Sequence, residues 1–304
     1  MGIASSRPFL GVLFRGGLCV KVKVKGNTKG ISLDVLKGVL IPAIEGVLNS
    51  FKSGEDRKHG WNSPSSIGSC MRQSYFSRVG IKPDFTSNDP RLQRIFDNGT
   101  GVHIRLQDYL KRDGILLLDE APLVNEDYKI LGTTDGLLLD GDRLAVLEIK
   151  SIYSFGFSSL KDAKPEHKLQ AGIYLFCLNE MRKKILKGER AELEKFYLEK
   201  ISSFLKSEKK VSERFDLFRE TLDLLEKYPK PLKRTIFLYE NKDTQELKEF
   251  AVEDGNVVQD ALKRFETLNG YVEREEAPDE EKSYSCAGCK YRKVCKEYGK
   301  TTND

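Results

Sequence analysis

The chain has 304 residues, of which 39% are hydrophobic and 32% charged, with a formal net charge of +5. This composition excludes an intrinsically disordered chain, and the length is enough for one large domain or two small ones. The mild basic excess is compatible with a polyanionic partner but does not identify one. No apolar run approaches the length of a membrane span, and the apolar residues 9–14 are too few for a signal peptide, so we expect a soluble, cytoplasmic protein.

Residues 1–62 are predicted to form an N-terminal extension. Valine and lysine alternate in residues 20–25, which predicts a strand with one apolar face and one lysine face. The lysine face is interpreted either as a basic surface for DNA or, as we favour, as a protected sheet edge. Ser32 is a candidate N-cap of a helix that Pro42 kinks or splits. The residues expected to be buried by that helix are Leu33, Leu36, Leu40, Ile44 and Val47.

Residues 63–112 are predicted to be helical. Ser65 or Ser66 is expected to cap a first helix, and Asp89 followed by Pro90 predicts the start of a second one. The first helix is expected to carry Cys70, Arg72 and Tyr75. The second is expected to carry Ile95, Phe96, His103, Leu106 and Leu110.

Short apolar runs separated by turn residues follow, and they predict strands at residues 115–118, 128–132, 136–139 and 144–149. A helix is predicted over residues 165–187, and residues 188–230 are predicted to be charged and helical. The buried stripe of this last region is expected to be Leu193, Phe196, Leu198, Ile201 and Leu205. Further strands are predicted at residues 235–239 and 246–252, with a helix over 257–268. This order predicts an α/β fold with a central mixed sheet flanked by helices.

Two charged residues interrupt one of the apolar strands. Glu148 and Lys150 are two positions apart, so their side chains point to the same face of that strand. Asp135 lies at the junction of two neighbouring strands, from which its carboxylate can reach Glu148. Two carboxylates on one side form a hard-oxygen site suited to Mg²⁺ or Mn²⁺. A lysine beside them can orient an attacking water and offset charge that builds up on a phosphate.

Each of these motifs also has an ordinary structural interpretation. An Asp-Gly pair is usually a turn, a Glu-x-Lys pair is usually a solvated ion pair, and a lone histidine such as His103 usually serves the core or the surface. The combination is more specific than its parts. His103 follows Gly99 by four positions on a predicted helix, and Gln170 and Tyr174, also four apart, share a helix face.

The order G-x-x-x-H, G-x-x-D, E-x-K, Q-x-x-x-Y resembles the RecB-like branch of the PD-(D/E)XK nuclease superfamily, over about residues 63–300. The resemblance implies a restriction-endonuclease-like core that hydrolyses phosphodiester bonds, with the extension and the helical insertion 188–230 outside the pattern. The ligands it implies for Mg²⁺ or Mn²⁺ are His103, Asp135, Glu148 and the backbone carbonyl of Ile149. The catalytic residues it implies are Asp135, Glu148 and Lys150. The residues it implies for positioning DNA are Gln170, Tyr174 and Glu120.

Three of the six cysteines crowd into ten residues, with the spacing of a metal or cluster site. They are Cys286, Cys289 and Cys295. Cys70 is the best candidate for a fourth ligand, because Cys19 lies in the valine–lysine strand and Cys177 on an apolar helix, where cysteine usually acts as a small apolar residue. Zinc and iron–sulfur clusters share tetrathiolate ligation, so spacing alone does not separate them. A chance group of free thiols is the remaining alternative.

The cysteine pattern, with Arg72 after Cys70, is similar to the iron–sulfur subgroup of these nucleases, which includes the CRISPR-associated exonuclease of the fourth Cas type and AddB-like nucleases. This likeness implies a [4Fe-4S] cluster held by Cys70 and segment 284–298, with Zn²⁺ as the alternative. It also implies a DNA exonuclease acting on single-stranded DNA or free ends, with CRISPR adaptation, repair or viral recombination proteins as partners. Two other functions stay open: a DNA- or partner-binding module with little activity, and a zinc-stapled endonuclease.

Overall fold

The computed structural model describes residues 40–50, 60–84, 90–253, 255–281 and 284–298. The chain divides into two units, Met1–Val47 and Leu48–Asp304. The predicted valine–lysine strand, the predicted caps Ser32 and Asp89, and Cys19, Leu33 and Leu36 lie outside the described residues.

Helix α1 (Leu40–Ser50) is the described part of the helix that was predicted in the N-terminal extension. Pro42 lies within this helix and does not split it. Leu40, Ile44 and Val47 are exposed, so the prediction that they are buried was wrong.

A five-stranded sheet forms the centre of the larger unit, in the strand order β1-β4-β5-β6-β7. Its strands are β1 (Leu116–Asp119), β4 (Gly136–Asp140), β5 (Arg143–Ile152), β6 (Arg234–Asn241) and β7 (Leu247–Glu253). Neighbouring strands are antiparallel except β5 and β6, which are parallel. Parallel neighbours need a crossover connection, and the helical segment 154–227 provides it. The α/β class and the mixed sheet predicted from the sequence are therefore confirmed.

Strands β2 (Pro122–Asn125) and β3 (Ile130–Thr133) form a separate antiparallel hairpin. Its buried side chains include Leu123 and Ile130. Asn62, the last residue of the predicted extension, pairs with Ile130 and donates a side-chain hydrogen bond of 2.8 Å to the carbonyl of Tyr128. The end of the predicted extension, just before residue 63, thus contacts the hairpin.

Helices cover the sheet and fill the crossover. They are α2 (Met71–Arg78), α3 (Pro90–Arg112), α4 (Ser154–Ser158), α5 (Pro165–Leu186), α6 (Arg190–Phe204), α7 (Glu208–Lys227), α8 (Gly255–Glu273) and α9 (Arg292–Tyr298). Helix α5 packs closely against α8 at Gly172, where a Cβ atom would lie 2.6 Å from the carbonyl oxygen of Val257. Phe218 and Leu222 of α7 belong to the same buried cluster as Ile173 of α5, so the helical region 188–230 is part of the main core.

Several local predictions need correction. Ser65 and Ser66 belong to a short 3-10 turn (Pro64–Ser66) and do not cap α2, which begins after Cys70. In α6 the buried stripe includes Tyr197, whereas Leu198 is exposed. None of the helices in the described part of the chain is both long and apolar enough to cross a membrane.

Candidate active site

Glu148 and Lys150 lie on one face of β5, in the middle of the central sheet. The Lys150 ammonium donates a hydrogen bond of 2.6 Å to Oε1 of Glu148. Glu148 is only 3% exposed, whereas Lys150 keeps contact with solvent. The period-two spacing therefore does place the two charges together, and one of them is almost completely removed from water.

Asp135 reaches the same place from the turn between β3 and β4. Gly136 pairs with Leu147 across the β4–β5 ladder, which brings Asp135 alongside β5. Its Oδ2 accepts a hydrogen bond of 2.6 Å from the backbone N–H of Ile149. Because the N–H belongs to the residue between Glu148 and Lys150, the aspartate is fixed to the strand that carries them.

Helix α3 supplies two further side chains. His103 Nδ1 lies 3.2 Å from Oδ1 of Asp135. Burial alone would lower the pKa of His103, but the hydrogen bond with Asp135 and the charges of Asp135 and Glu148 raise it above the usual value. Gln107, four residues further on the same helix face, donates a hydrogen bond of 2.7 Å to the carbonyl of Asp135. Gln107 was not predicted, although its spacing from His103 was a usable signal.

Helix α5 closes the other side of the group. Gln170 donates to Oε1 of Glu148 at 2.9 Å and to the hydroxyl of Tyr174 at 2.5 Å. The side-chain carbonyl of Gln170 accepts a hydrogen bond of 3.1 Å from Lys150. Gln170 thus contacts the carboxylate, the lysine and the tyrosine at once, and it holds the first two in a fixed relation.

Glu148 is a buried carboxyl group whose charge Lys150 offsets only in part. Burial, with the nearby charge of Asp135, raises the pKa of Glu148 to about 7, although Lys150 opposes the shift. Its Oε2 is buried and has no hydrogen-bond partner among the described residues. A buried carboxylate oxygen beside a second carboxylate is suited to a divalent cation, since oxygen donors are those that Mg²⁺ and Mn²⁺ prefer.

His103 contacts Asp135, whereas Glu148 contacts Lys150 and Gln170. Among the described residues, no three His, Cys, Asp or Glu side chains stand close enough to form a ready-made metal site. The donor set, with its unpartnered buried oxygen, nevertheless fits a divalent cation.

The structure does not bring Glu120 into this contact group. Its backbone N–H donates to the carbonyl of Asp135 at 3.3 Å, but its carboxylate lies 3.5 Å from Arg214 of α7. The backbone conformation at Glu120 is left-handed, with φ of 54°.

The four cysteines predicted as ligands line one cavity of about 290 Å³. They are Cys70, Cys286, Cys289 and Cys295. Arg72 donates a hydrogen bond of 3.7 Å to the sulfur of Cys295 and one of 2.5 Å to the carbonyl of Pro278. Burial raises the pKa of Cys295, and the charge of Arg72 opposes that shift. The four thiols share one cavity, but no three of them stand close enough in the described structure to form a ready-made metal site, so their ligation stays a prediction.

The cysteine segment is also attached without any metal. The carboxylate of Asp84 accepts hydrogen bonds from the backbone N–H groups of Lys293 and Val294, the latter at 3.1 Å, in the first turn of α9. Phe76 of α2 packs against the ring of Tyr291, with centroids 5.5 Å apart. Asp84 therefore acts as a capping side chain, since the first N–H groups of a helix have no partner within it.

A family description of the PD-(D/E)XK nuclease superfamily matches residues 111–296, which is more than half of the chain. The chain belongs to this superfamily.

Two solved structures are similar at low identity. One is the crystal structure of SSO0001, with 14% identity and a TM-score of 0.46, covering 86% of this chain and 98% of that one. The other is an alkaline exonuclease (LHK-Exo) from Laribacter hongkongensis, with 11% identity and a TM-score of 0.40, covering 72% of this chain and 90% of that one. Comparison with curated proteins gave no match.

Proposed function

We propose that this nuclease is a metal-dependent DNA exonuclease that acts on single-stranded DNA or on free ends. The proposal rests on the arrangement of Asp135, Glu148 and Lys150. Asp135 is hydrogen-bonded to the backbone between the other two, and Lys150 donates to Glu148. The buried Glu148 carboxylate has one oxygen without a hydrogen-bond partner among the described residues. Burial of a charged group of this kind costs stability, which favours a functional role for it. Membership of a nuclease superfamily supports phosphodiester hydrolysis as that role.

The metal ligands in this proposal are His103, Asp135, Glu148 and the carbonyl of Ile149. A bound Mg²⁺ or Mn²⁺ ion would supply Lewis acidity and stabilise charge on the phosphate oxygens. Lys150 is assigned to orienting the attacking water and to offsetting the charge on the phosphate. Gln170 is assigned to holding Lys150 against Glu148, since it contacts both. Tyr174 supports Gln170, and Glu120 remains a prediction as a DNA-positioning residue.

Cys70, Cys286, Cys289 and Cys295 are proposed to hold a [4Fe-4S] cluster, with Zn²⁺ as the alternative. The cavity that the four side chains share supports this assignment. Iron and acid-labile sulfide are expected in wild-type protein purified without oxygen, and they should be lost in Cys295→Ser. Cys177, which is buried in the core, provides the control: Cys177→Ala should keep the cluster. Stoichiometric zinc without sulfide would replace the cluster assignment with the zinc one.

The activity is tested with purified protein, Mn²⁺ and end-labelled single-stranded DNA. Nucleotides should be released from the labelled strand, and Lys150→Ala should abolish their release. Circular single-stranded DNA of the same composition is the control for end dependence. Degradation of the circle would replace the exonuclease proposal with an endonuclease, and binding without cleavage would favour the binding-module alternative. The roles in CRISPR adaptation, repair or viral recombination that the sequence resemblance implies all need such an activity.

A further inference from the structure

An aromatic ring stands almost entirely in solvent a few residues beyond Lys150. Phe155 is 93% exposed, whereas the next most exposed large hydrophobic side chain of the described residues, Ile41, is 67% exposed. Tyr153, two positions before Phe155, is 59% exposed. Removing a phenylalanine side chain from water is favourable, so full exposure of the ring costs the protein that stabilisation. A ring left in water five positions after the proposed catalytic lysine is therefore a candidate contact for a ligand.

The short helix that carries Phe155 is anchored at several points. The N–H of Ser154 donates to Oδ2 of Asp243 at 2.9 Å. Phe157, two residues after Phe155, is 4% exposed and packs in the core. Lys248 donates a hydrogen bond of 2.7 Å to the carbonyl of Phe157. The exposure of Phe155 thus belongs to a fixed segment whose neighbouring aromatic is buried.

A polar cleft lies beside the end of β5, and one of its lining residues, Lys242, also contacts the Tyr153 ring. The cleft has a volume of about 210 Å³, and its lining includes Ser151, which directly follows Lys150, together with Arg105 and Lys242. The backbone N–H of Lys242 donates to the carbonyl of Ile152 at 2.8 Å. The ammonium of Lys242 lies 4.8 Å from the centroid of the Tyr153 ring. Arg105 is paired with Glu240 of the same cleft, at 2.6 and 2.7 Å, so Lys242 is the cation that stands next to an exposed ring.

A cation beside two exposed aromatic rings has a specific chemical use. Single-stranded nucleic acids bind where basic groups contact the phosphates and aromatic rings stack on unpaired bases. A duplex hides the faces of its bases within the stack, so such rings discriminate in favour of unpaired segments. The negative charge of the DNA backbone complements Lys242, and the unpaired bases match the exposed rings.

We propose that Phe155 and Tyr153 form a stacking platform for unpaired bases of single-stranded DNA, with Lys242 contacting the backbone next to the platform. This inference rests on the proposed nuclease function and deepens it, because it names the part of the chain that selects a single strand. Tyr153 and Phe155 follow Lys150 by three and five positions, directly after β5 ends at Ile152.

Binding of labelled oligothymidylate to the full chain, measured by fluorescence anisotropy in EDTA so that no cleavage occurs, tests the platform. Phe155→Ala should weaken binding of the single strand about 5- to 150-fold, because stacking contributes on the order of 1–3 kcal/mol per base. Phe155→Trp should keep wild-type affinity. The control is Leu186→Ala, at an exposed position at the end of α5, which should bind as the wild type does. Wild-type affinity in Phe155→Ala would overturn the proposal.

A second readout distinguishes stacking from a general effect on charge. The chain contains one tryptophan, Trp61, so the added ring of Phe155→Trp gives a separate fluorescence signal against a wild-type baseline. Oligothymidylate should quench that added signal, and duplex DNA should quench it far less. Equal quenching by both forms of DNA would contradict the platform.

The two proposals fail in different ways. Cleavage by the wild type with unchanged single-strand binding in Phe155→Ala would overturn the platform and leave the nuclease. A wild type that does not cleave but needs Phe155 to bind single strands would overturn the nuclease and support the platform. A dimer that Phe155→Ala dissociates without changing DNA affinity would make Phe155 a self-association contact and overturn the platform.

Discussion

The backbone N–H of Ile149 donates a hydrogen bond of 2.6 Å to Oδ2 of Asp135. Ile149 lies between Glu148 and Lys150 on β5, whereas Asp135 comes from the turn before β4. One hydrogen bond thus fixes the aspartate to the strand that carries the other two charged residues. The relation between the three side chains depends on the β4–β5 ladder, which is among the most buried parts of the sheet.

Glu148→Gln separates the chemical use of the carboxylate from its effect on stability. Cleavage should fall by a factor on the order of 10³ or more, because a neutral amide lacks the negative charge with which the carboxylate would bind a divalent cation next to the phosphate. The metal-free protein should unfold at the same or a higher temperature, since the change removes a carboxylate that is buried with one unpartnered oxygen. The two measurements are labelled-DNA cleavage and thermal unfolding. Loss of activity together with a strongly lowered unfolding temperature would indicate a structural role instead.

Gln170→Ala tests whether Lys150 needs a positioning partner. Gln170 contacts both Lys150 and Glu148, so its loss should reduce kcat about 10- to 100-fold while KM changes little. Tyr174→Phe is the matched variant, because it removes only the hydroxyl that Gln170 contacts and should have the smaller effect. Steady-state cleavage of single-stranded DNA provides both constants. A change confined to KM would show that Gln170 acts on DNA binding and does not position the lysine.

Asp84→Ala tests the metal-independent attachment of the cysteine segment. Loss of the cap on α9 should lower the free energy of unfolding by about 0.5–2 kcal/mol and speed hydrogen exchange in Arg292–Tyr298. Asp279→Ala, at an exposed position near the segment in sequence, is the control and should change neither quantity. The measurements are urea unfolding and hydrogen exchange of the full chain. Unchanged exchange in α9 after the loss of Asp84 would refute the capping role.

His167 should make the protein less stable in mild acid. Burial, with the charges of Lys150 and Lys164, lowers the pKa of His167 to about 3, and its Nδ1 lies 2.6 Å from the hydroxyl of Tyr239. Below a pH of about 6.5 the unfolded chain binds a proton at this histidine that the folded chain does not bind. The contribution of His167 is therefore fully present above that pH and is lost as the pH falls towards 3.

This prediction is checked by urea unfolding of wild type and His167→Gln at pH 7.5 and pH 5. The decrease in the free energy of unfolding between the two should be smaller in the variant by a value on the order of 1 kcal/mol. Other groups titrate equally in both proteins, so the difference isolates His167. An identical decrease in the two proteins would contradict the shifted pKa.

The sequence predicted the parts of the fold that local patterns determine. The strands at residues 136–139 and 144–149 and the helix at 165–187 match β4, β5 and α5, because apolar periodicity and turn residues mark them. Strand β2 was missed, since its four residues begin with proline and are all buried, without alternation. Helix α9 is short and polar and takes its cap from Asp84, so its own residues gave little signal.

The candidate site was predictable to a similar extent. The two-residue spacing of Glu148 and Lys150 placed them on one face of a strand. The four-residue spacing of Gln170 and Tyr174 placed them on one side of a helix. The role of the Ile149 N–H was not predictable, because it depends on the register of β4 against β5. The contact of Glu120 with Arg214 was missed for the same reason, as it joins positions far apart in the chain.

The central claim is that Asp135 and Glu148 hold a divalent cation at the active site. Anomalous diffraction from crystals soaked in Mn²⁺ tests it most directly. We predict a strong anomalous peak in contact with carboxylate oxygens of both residues, and its loss in crystals of Glu148→Gln. A peak elsewhere, or none at this position in crystals that bind Mn²⁺ at another site, would contradict the claim.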